Sequence, residues 1–139
     1  MKLIYPVCFY EDENDTYTAD IVDLPGCVTF GHSLADAIEM AVDAASGWIL
    51  SSLEDGENIP KPSPIEDIKP EHDNAIISYI LLDMESYAEK YGDKAIRKNL
   101  TIPAWLNTLA EKHNINFSQV LQSALQEELN EYLYETANS

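Results

Sequence analysis

The chain has few basic residues, few cysteines and no long apolar run. Of its 139 residues, eight are Lys or Arg and 25 are Asp or Glu, which gives a formal net charge of −17. A surface this acidic repels phosphate, so the chain as a whole is not a general nucleic-acid binder. No apolar stretch reaches the ~18 residues of a membrane span, and residues 1–6 lack the apolar core of a signal peptide. We therefore expect a cytoplasmic protein that does not contact a membrane.

Cysteine is almost absent. Cys8 and Cys27 are the only thiols in the sequence. Two isolated thiols supply too few ligands for a structural metal site. In a protein without an export signal, such thiols stay reduced and pack as small apolar side chains. We therefore expect two buried cysteines and neither a metal nor a cofactor.

The few basic residues are unevenly distributed. Residues 1–92 hold 19 acidic and four basic residues, whereas residues 93–139 hold six and four. Within residues 94–112, four basic residues stand against one acidic residue. The first part therefore suits a basic partner protein. Only the basic segment has the charge that contact with DNA phosphate requires.

The basic segment contains a short pattern of alternating polar and apolar residues, which ends at Pro103. Alternation at period two places successive side chains on opposite faces of a strand. The apolar face comprises Ile96, Leu100 and Ile102. The polar face comprises Arg97, Asn99 and Thr101. A guanidinium, an amide and a hydroxyl can all hydrogen-bond to base edges. Lys98 departs from the pattern, because it falls on the apolar face.

Two amphipathic helices are predicted after this strand. Pro103 is at the start of the first, where its missing N–H costs nothing, and Asn116 is predicted to cap the second. One strand and two helices cannot bury their own apolar face, so we expect the segment to fold only as a dimer. The strands of two copies would form a ribbon that fits the major groove. The predicted dimer contacts are Ile96, Leu100, Ile102, Val120 and Leu121.

Residues 1–83 predict a small α+β domain in which a helix packs on a sheet. The order of elements is strand, strand, strand, helix, strand, with strands at 2–10, 17–22, 27–30 and 75–82. The predicted helix begins at Ser33, with Asp36 completing a capping pattern. Its apolar stripe comprises Leu34, Ala37, Ile38, Ala41, Val42, Ala45 and Ile49. The last strand is apolar almost throughout, which is typical of a strand that is covered on both faces or lies in an interface. Residues 84–93 are predicted to be a polar linker, partly helical around Tyr87 and Ala88, and residues 94–139 a second domain.

Two stretches of the sequence resemble known families. Residues 23–31 read Asp-Leu-Pro-Gly-Cys-Val-Thr-Phe-Gly, and residues 55–63 read Asp-Gly-Glu-Asn-Ile-Pro-Lys-Pro-Ser. Two shorter motifs accompany these stretches, Tyr5-Pro6-Val7 and Ala35-Asp36-Ala37. Together the four motifs resemble the HicB antitoxin family over about residues 1–65. Residues 94–133 resemble a ribbon-helix-helix domain of the Arc and MetJ type.

This resemblance implies a fold, a function and a set of contacts. The N-terminal domain would be a partial RNase H-like fold without a working active site. It would bind and neutralise a HicA-like toxin, a small basic RNase, and the C-terminal domain would repress the operon as a homodimer, or as a tetramer if the N-terminal sheets also pair. The protein would not be an enzyme. The implied base-reading residues are Arg97, Asn99 and Thr101. The implied phosphate contacts are Lys94, Lys98, Asn116, Phe117 and Ser118.

A metal-dependent, RNase H-like nuclease fused to a DNA-binding domain is the alternative interpretation. Asp12, Asp15, Asp20 and Asp23 are close in sequence, and metals that catalyse phosphoryl transfer require clustered carboxylates. His32 could act as a general base. The aspartates also fit two ordinary turns, and no nucleophile accompanies the histidine. An antitoxin is therefore the preferred interpretation.

Overall fold

The computed structural model describes residues 1–92 and 95–134. The chain divides into two compact units. The N-terminal unit comprises Met1–Gly92 together with Tyr134, and the C-terminal unit comprises residues 95–133.

A four-stranded antiparallel sheet forms the centre of the N-terminal unit. Its strands are β1 (Lys2–Glu11), β2 (Tyr17–Asp20), β3 (Val28–Gly31) and β4 (Ile76–Asp83), in the order β3-β2-β1-β4. The predicted α+β class and the order of its elements are confirmed. Strand β2 ends two residues earlier than predicted, because Ile21 accepts and donates hydrogen bonds within the turn that precedes β3.

Helix α1 (Leu34–Glu54) packs on one face of the sheet. Its predicted cap is present, because Ser33 Oγ accepts from the Asp36 amide at 3.0 Å and the Asp36 carboxylate accepts from the His32 amide. The predicted stripe is buried at Ala37, Ala41, Ala45 and Ile49. Ile38 was predicted to be buried and is 39% exposed, although at about 100° per residue it falls between the buried positions Ala45 and Ile49 around the helix axis. Periodicity alone therefore does not decide the burial of this side chain.

The two faces of the sheet are covered differently. The β1 side chains that point to α1 are fully buried or nearly so; they are Leu3, Tyr5, Val7 and Phe9. On the other face, the proline-rich connection between α1 and β4 covers only the middle. Tyr10 Oη accepts from the Glu71 amide at 3.0 Å, and Tyr79 Oη accepts from the Ile65 amide at 3.1 Å. Leu81 stays exposed, so in the single chain β4 is not covered on both faces.

The segment predicted as a linker contains helix α2 (Met84–Tyr91). Asp83 caps it by accepting from the Ser86 amide, and the Met84 side chain is buried. Residues 84–92 group with the N-terminal unit by their contacts. Asp93 and Lys94 lie outside the described residues.

The C-terminal unit contains helices α3 (Ala104–Lys112) and α4 (Phe117–Leu129). Asn114 makes the turn between them with a φ of 56°, a conformation that asparagine tolerates better than most residues. Residues 95–103 have no regular secondary structure in the single chain, because no neighbouring strand pairs with them there. Among the described helices, none is both long and apolar enough to span a membrane.

Candidate functional site

The C-terminal unit exposes the apolar side chains that its helices would be expected to bury. Ile96 is 84% exposed, Leu100 64% and Ile102 43%. The same is true of apolar side chains on both helices: Trp105, Leu106, Leu109, Val120, Leu121 and Leu125. No residue of α3 or α4 is buried in the single chain. An apolar surface of this extent is larger than single exposed side chains account for.

The polar residues predicted to read DNA lie in the segment that precedes α3. Arg97, Lys98, Asn99 and Thr101 are all exposed, and none is part of a regular element in the single chain. Except at Lys98, these polar residues occupy the positions between the exposed apolar residues Ile96, Leu100 and Ile102 and alternate with the apolar face. Lys94, the fifth predicted contact in this segment, is one of the residues that the structure does not describe.

The start of helix α4 presents free backbone donors. Asn116 is its cap, as predicted, because Asn116 Oδ1 accepts from the Gln119 amide at 3.1 Å. The amides of Phe117 and Ser118 belong to the first turn, where no carbonyl of the helix can accept from them. Together with the helix dipole, such amides favour an anion at this end of the helix. This is the geometry that the predicted phosphate contact requires.

The Asp-Leu-Pro-Gly turn at residues 23–26 ties parts of the N-terminal unit together. The Asp23 carboxylate accepts from the Ser63 amide at 2.8 Å and from Ser63 Oγ at 2.6 Å. The indole of Trp48 on α1 donates to the Pro25 carbonyl at 3.1 Å. Gly26 has a φ of +77°, which favours glycine. The motif therefore anchors the proline-rich connection and α1 to the sheet.

Three of the four aspartates considered for a metal site, Asp12, Asp20 and Asp23, make separate contacts. Asp12 accepts from Thr18 Oγ1, and Asp23 is bound to Ser63. Asp20 lies near Glu71, and burial together with the charge of Glu71 raises the pKa of Asp20. Within residues 1–92 and 95–134, no group of three or more His, Cys, Asp or Glu residues is arranged to hold a metal ion. In that part of the chain, these aspartates are therefore not gathered into one carboxylate cluster.

Both cysteines are buried, as predicted. Burial raises the pKa of Cys8, and burial together with the charge of Asp20 raises the pKa of Cys27 to about 11. Both thiols are therefore protonated and unreactive at neutral pH. His32, the possible general base, places its ring edge-on against Phe30, with the ring centres 5.8 Å apart.

One feature of the N-terminal unit was not predicted from the sequence. Strand β3 exposes Val28 and Phe30 on the sheet face opposite α1, with exposed fractions of 57% and 58%. Beside them is a recess of about 250 Å³, which we call the acidic recess. Its lining comprises Tyr10, Asp12, Thr18, Asp20, Val28, Glu71 and His72. The alternation of Val28 and Phe30 was the only available signal, and four residues are too few to distinguish an exposed face from a buried one.

Comparison with known proteins identifies relatives that match most of this chain or less than half of it. A family model described as the HicB-like antitoxin of bacterial toxin-antitoxin systems matches residues 5–132. An uncharacterised 14.9 kDa protein of Haemophilus phage HP1 is 36% identical over 106 residues, which cover 75% of this chain and 76% of that protein. The antitoxin HicB of Escherichia coli K12 is 38% identical over 61 residues, 44% of each chain. The match thus spans less than half the length of that antitoxin.

Solved structures resemble the chain over most of its length. One chain of a toxin-antitoxin complex from Streptococcus pneumoniae shares 27% identity with a TM-score of 0.58, covering 92% of this chain and 99% of that one. The antitoxin HicB of Burkholderia pseudomallei shares 25% identity with a TM-score of 0.54, covering 93% and 98%. Because the family model spans nearly the whole sequence and these folds agree with it, the chain belongs to the HicB-like antitoxin family of bacterial toxin-antitoxin systems.

Proposed function

We propose that this chain is a non-catalytic antitoxin with two separate binding activities. Its N-terminal unit binds and neutralises a HicA-like toxin, a small basic RNase. Its C-terminal unit pairs with that of a second copy as a ribbon-helix-helix domain and represses the operon that encodes both proteins. Membership of the HicB-like family supports the antitoxin role, and the similarity to a chain of a toxin-antitoxin complex supports a protein partner.

The observation that carries the DNA-binding part of the proposal is the exposed apolar surface of the C-terminal unit. A segment with no buried helical residue gains too little from burial to offset the entropy of ordering its chain. Pairing two copies would bring Ile96, Leu100 and Ile102 of each into a shared core. The apolar positions Val120 and Leu121 on α4 would join that core.

The same pairing would place the polar residues of the ribbon in one row on its outer face. Arg97 suits a bidentate contact with guanine, and Asn99 suits adenine. Thr101 offers a methyl or a hydroxyl group. Lys94 and Lys98 would contact phosphates, as would the first turn of α4 at Asn116, Phe117 and Ser118. The excess of basic residues in this segment supports the proposal, since the rest of the chain is strongly acidic.

The DNA-binding activity is tested with Arg97→Ala on a duplex taken from the promoter of the chain's own operon. Fluorescence anisotropy with duplexes that differ at single bases should show that Arg97→Ala binds DNA more weakly. At one base position, the free-energy difference between the preferred base and the others should fall by about 1–3 kcal/mol. Affinity of the unmodified protein should fall steeply with salt, because phosphate contacts release counterions. Lys112→Ala, which removes the same charge from the end of α3, should leave the base preference unchanged. A base preference that survives Arg97→Ala would refute the assignment of the ribbon as the reader.

The toxin-binding activity is tested by producing the chain together with the toxin encoded in the adjoining reading frame. We expect the full chain to restore growth and to form a stable complex with a toxin whose catalytic histidine is replaced by alanine. Leu100→Lys, which should disrupt only the C-terminal unit, is expected to retain binding to the toxin. Failure of the full chain to bind or neutralise the toxin would refute the antitoxin role.

A further inference from the structure

The sheet face opposite α1 has an unpartnered apolar part next to a concentration of negative charge. Strand pairing places Phe30 beside Thr18 and Val28 beside Asp20 on this face. Asp12, Asp20 and Glu71 line the acidic recess directly beside Val28. None of the residues that line the recess is a lysine or an arginine. The N-terminal unit therefore offers two apolar side chains bordered by uncompensated carboxylates.

We propose that this surface, formed by Val28, Phe30 and the acidic recess, is the docking surface for a basic protein. The apolar pair would contact an apolar side chain of the partner, and a lysine or arginine beside it would enter the recess. The inference rests on the proposed function, since the basic protein is the toxin. It goes further by assigning the contact to the β3 side of the sheet.

Charge complementarity selects this occupant over the others that could cover the face. A second copy would bring identical carboxylates together across a two-fold axis, which is unfavourable. Nucleic acid would be repelled by the same carboxylates. Burial, and after it the charge of Glu71, raises the pKa of Asp20 in the free protein. A cation that enters the recess would instead relieve the repulsion between Asp20 and Glu71.

The recess is already shaped to receive a side chain. Tyr10 Oη accepts from the Glu71 amide, and the Tyr10 ring meets His72 edge-on at 5.4 Å between ring centres. The Asp12 carboxylate is held by Thr18 Oγ1. Because these contacts fix the walls before the partner arrives, binding costs little ordering of the recess.

The test measures the affinity of full-length variants for the catalytically silent toxin by calorimetry. Phe30→Ala should weaken binding about 10- to 100-fold, because exposed aromatic anchors dominate interface energies. Leu81→Ala is the matched control: Leu81 is 55% exposed on the same sheet face but lies on strand β4, at the opposite edge. It should change the affinity less than about two-fold.

The charge contribution is tested in the same way with Asp20→Asn. We expect binding about 10-fold weaker at low salt, and a shallower salt dependence. Glu39→Gln on the exposed side of α1 removes the same charge and should have little effect. Hydrogen exchange on the complex of the unmodified chain should show new protection at residues 28–31. This measurement uses no variant, so it does not depend on a variant folding correctly.

Three results would overturn the inference. The first is binding of Phe30→Ala as tight as that of the unmodified chain, and the second is equally tight binding of Asp20→Asn. The third is the absence of new protection at residues 28–31 in the complex. Dissociation of a self-associated form by Phe30→Ala, without loss of toxin affinity, would assign the face to a second copy. If the unmodified chain does not bind the toxin, the proposed function fails first and this inference falls with it. If the unmodified chain binds and only the β4 or α1 controls weaken binding, the antitoxin role stands and the docking surface lies elsewhere.

Discussion

Gly31 is a residue at which the sheet and helix α1 approach each other closely. A Cβ atom added at Gly31 would lie 2.2 Å from the amide nitrogen of Ala37, inside the first turn of α1. The obstacle is backbone at the start of a long helix, so it cannot move aside without shifting the helix. Glycine is therefore required at this position by close approach rather than by its own backbone conformation.

Gly31→Ala should consequently lower the free energy of unfolding of the N-terminal unit by about 3 kcal/mol, the upper range for overpacking. Urea denaturation followed by circular dichroism would measure the change. Gly56→Ala is the control, because Gly56 has a φ of +77° and nothing within 4 Å of an added Cβ. It should cost only the backbone strain of about 1 kcal/mol. Equal costs at the two positions would contradict the packing explanation.

The buried thiol of Cys27 gives a pH-dependent prediction at the same scale. With a pKa of about 11, only about one thiol in a thousand is ionised at pH 8, whereas about a quarter of ordinary thiols are. In a Cys8→Ala background, reaction with a disulfide reagent at pH 8 should be at least about 100-fold slower in the folded protein than in urea. The rate should rise as the pH approaches 11, because the thiolate is the reactive form. Fast reaction of the folded protein at pH 8 would contradict burial of this thiol.

At the scale of elements, the hydrogen bonds between Asp23 and Ser63 join two segments that are 40 residues apart. Asp23→Ala should lower the free energy of unfolding by about 1–3 kcal/mol, since it leaves the Ser63 amide without this acceptor. A double-mutant cycle with Ser63→Ala should give a coupling energy of at least about 0.5 kcal/mol. Since Ser63→Ala keeps the backbone amide, additive effects of the two substitutions would show that the hydrogen bond from Ser63 Oγ contributes nothing to stability.

Local signals in the sequence predicted some elements well. Helix α1 was predicted from Ser33, Asp36 and a stripe of alanines, and its cap and buried face follow that pattern. Strand β1 was predicted from its β-branched and aromatic residues to within one residue. These elements depend mainly on neighbours within a few residues, which a sequence displays directly.

Features that depend on distant residues were not predictable in this way. The helix at α2 has a short polar sequence, and its cap at Asp83 and the burial of Met84 become visible only in the structure. The acidic recess combines β1, β2, β3 and the proline-rich connection, so no single stretch of sequence reveals it. The DNA-reading residues of the ribbon stay predictions, because their arrangement requires a second chain.

At the scale of the whole molecule, the state of the C-terminal unit should depend on pairing. Leu100→Lys places a charge in the proposed shared core, so we expect a monomer that loses the helical signal of α3 and α4. Sedimentation velocity and circular dichroism at 222 nm would measure the two effects. Asn99→Lys is the matched control, since it adds the same charge to the opposite face of the ribbon and should remain dimeric. A Leu100→Lys dimer with intact helices would refute the proposed pairing.

Under the proposed function, the absence of any buried residue in α3 and α4 of the single chain would have a consequence for gene control. If these helices become stable only in pairs, the concentration of the folded dimer varies with the square of the concentration of the unpaired chain when the chain is scarce. A modest fall in abundance would then cause a disproportionate loss of operator occupancy, so that synthesis resumes quickly. Mass action alone would give the operon a steep threshold, without any small-molecule signal.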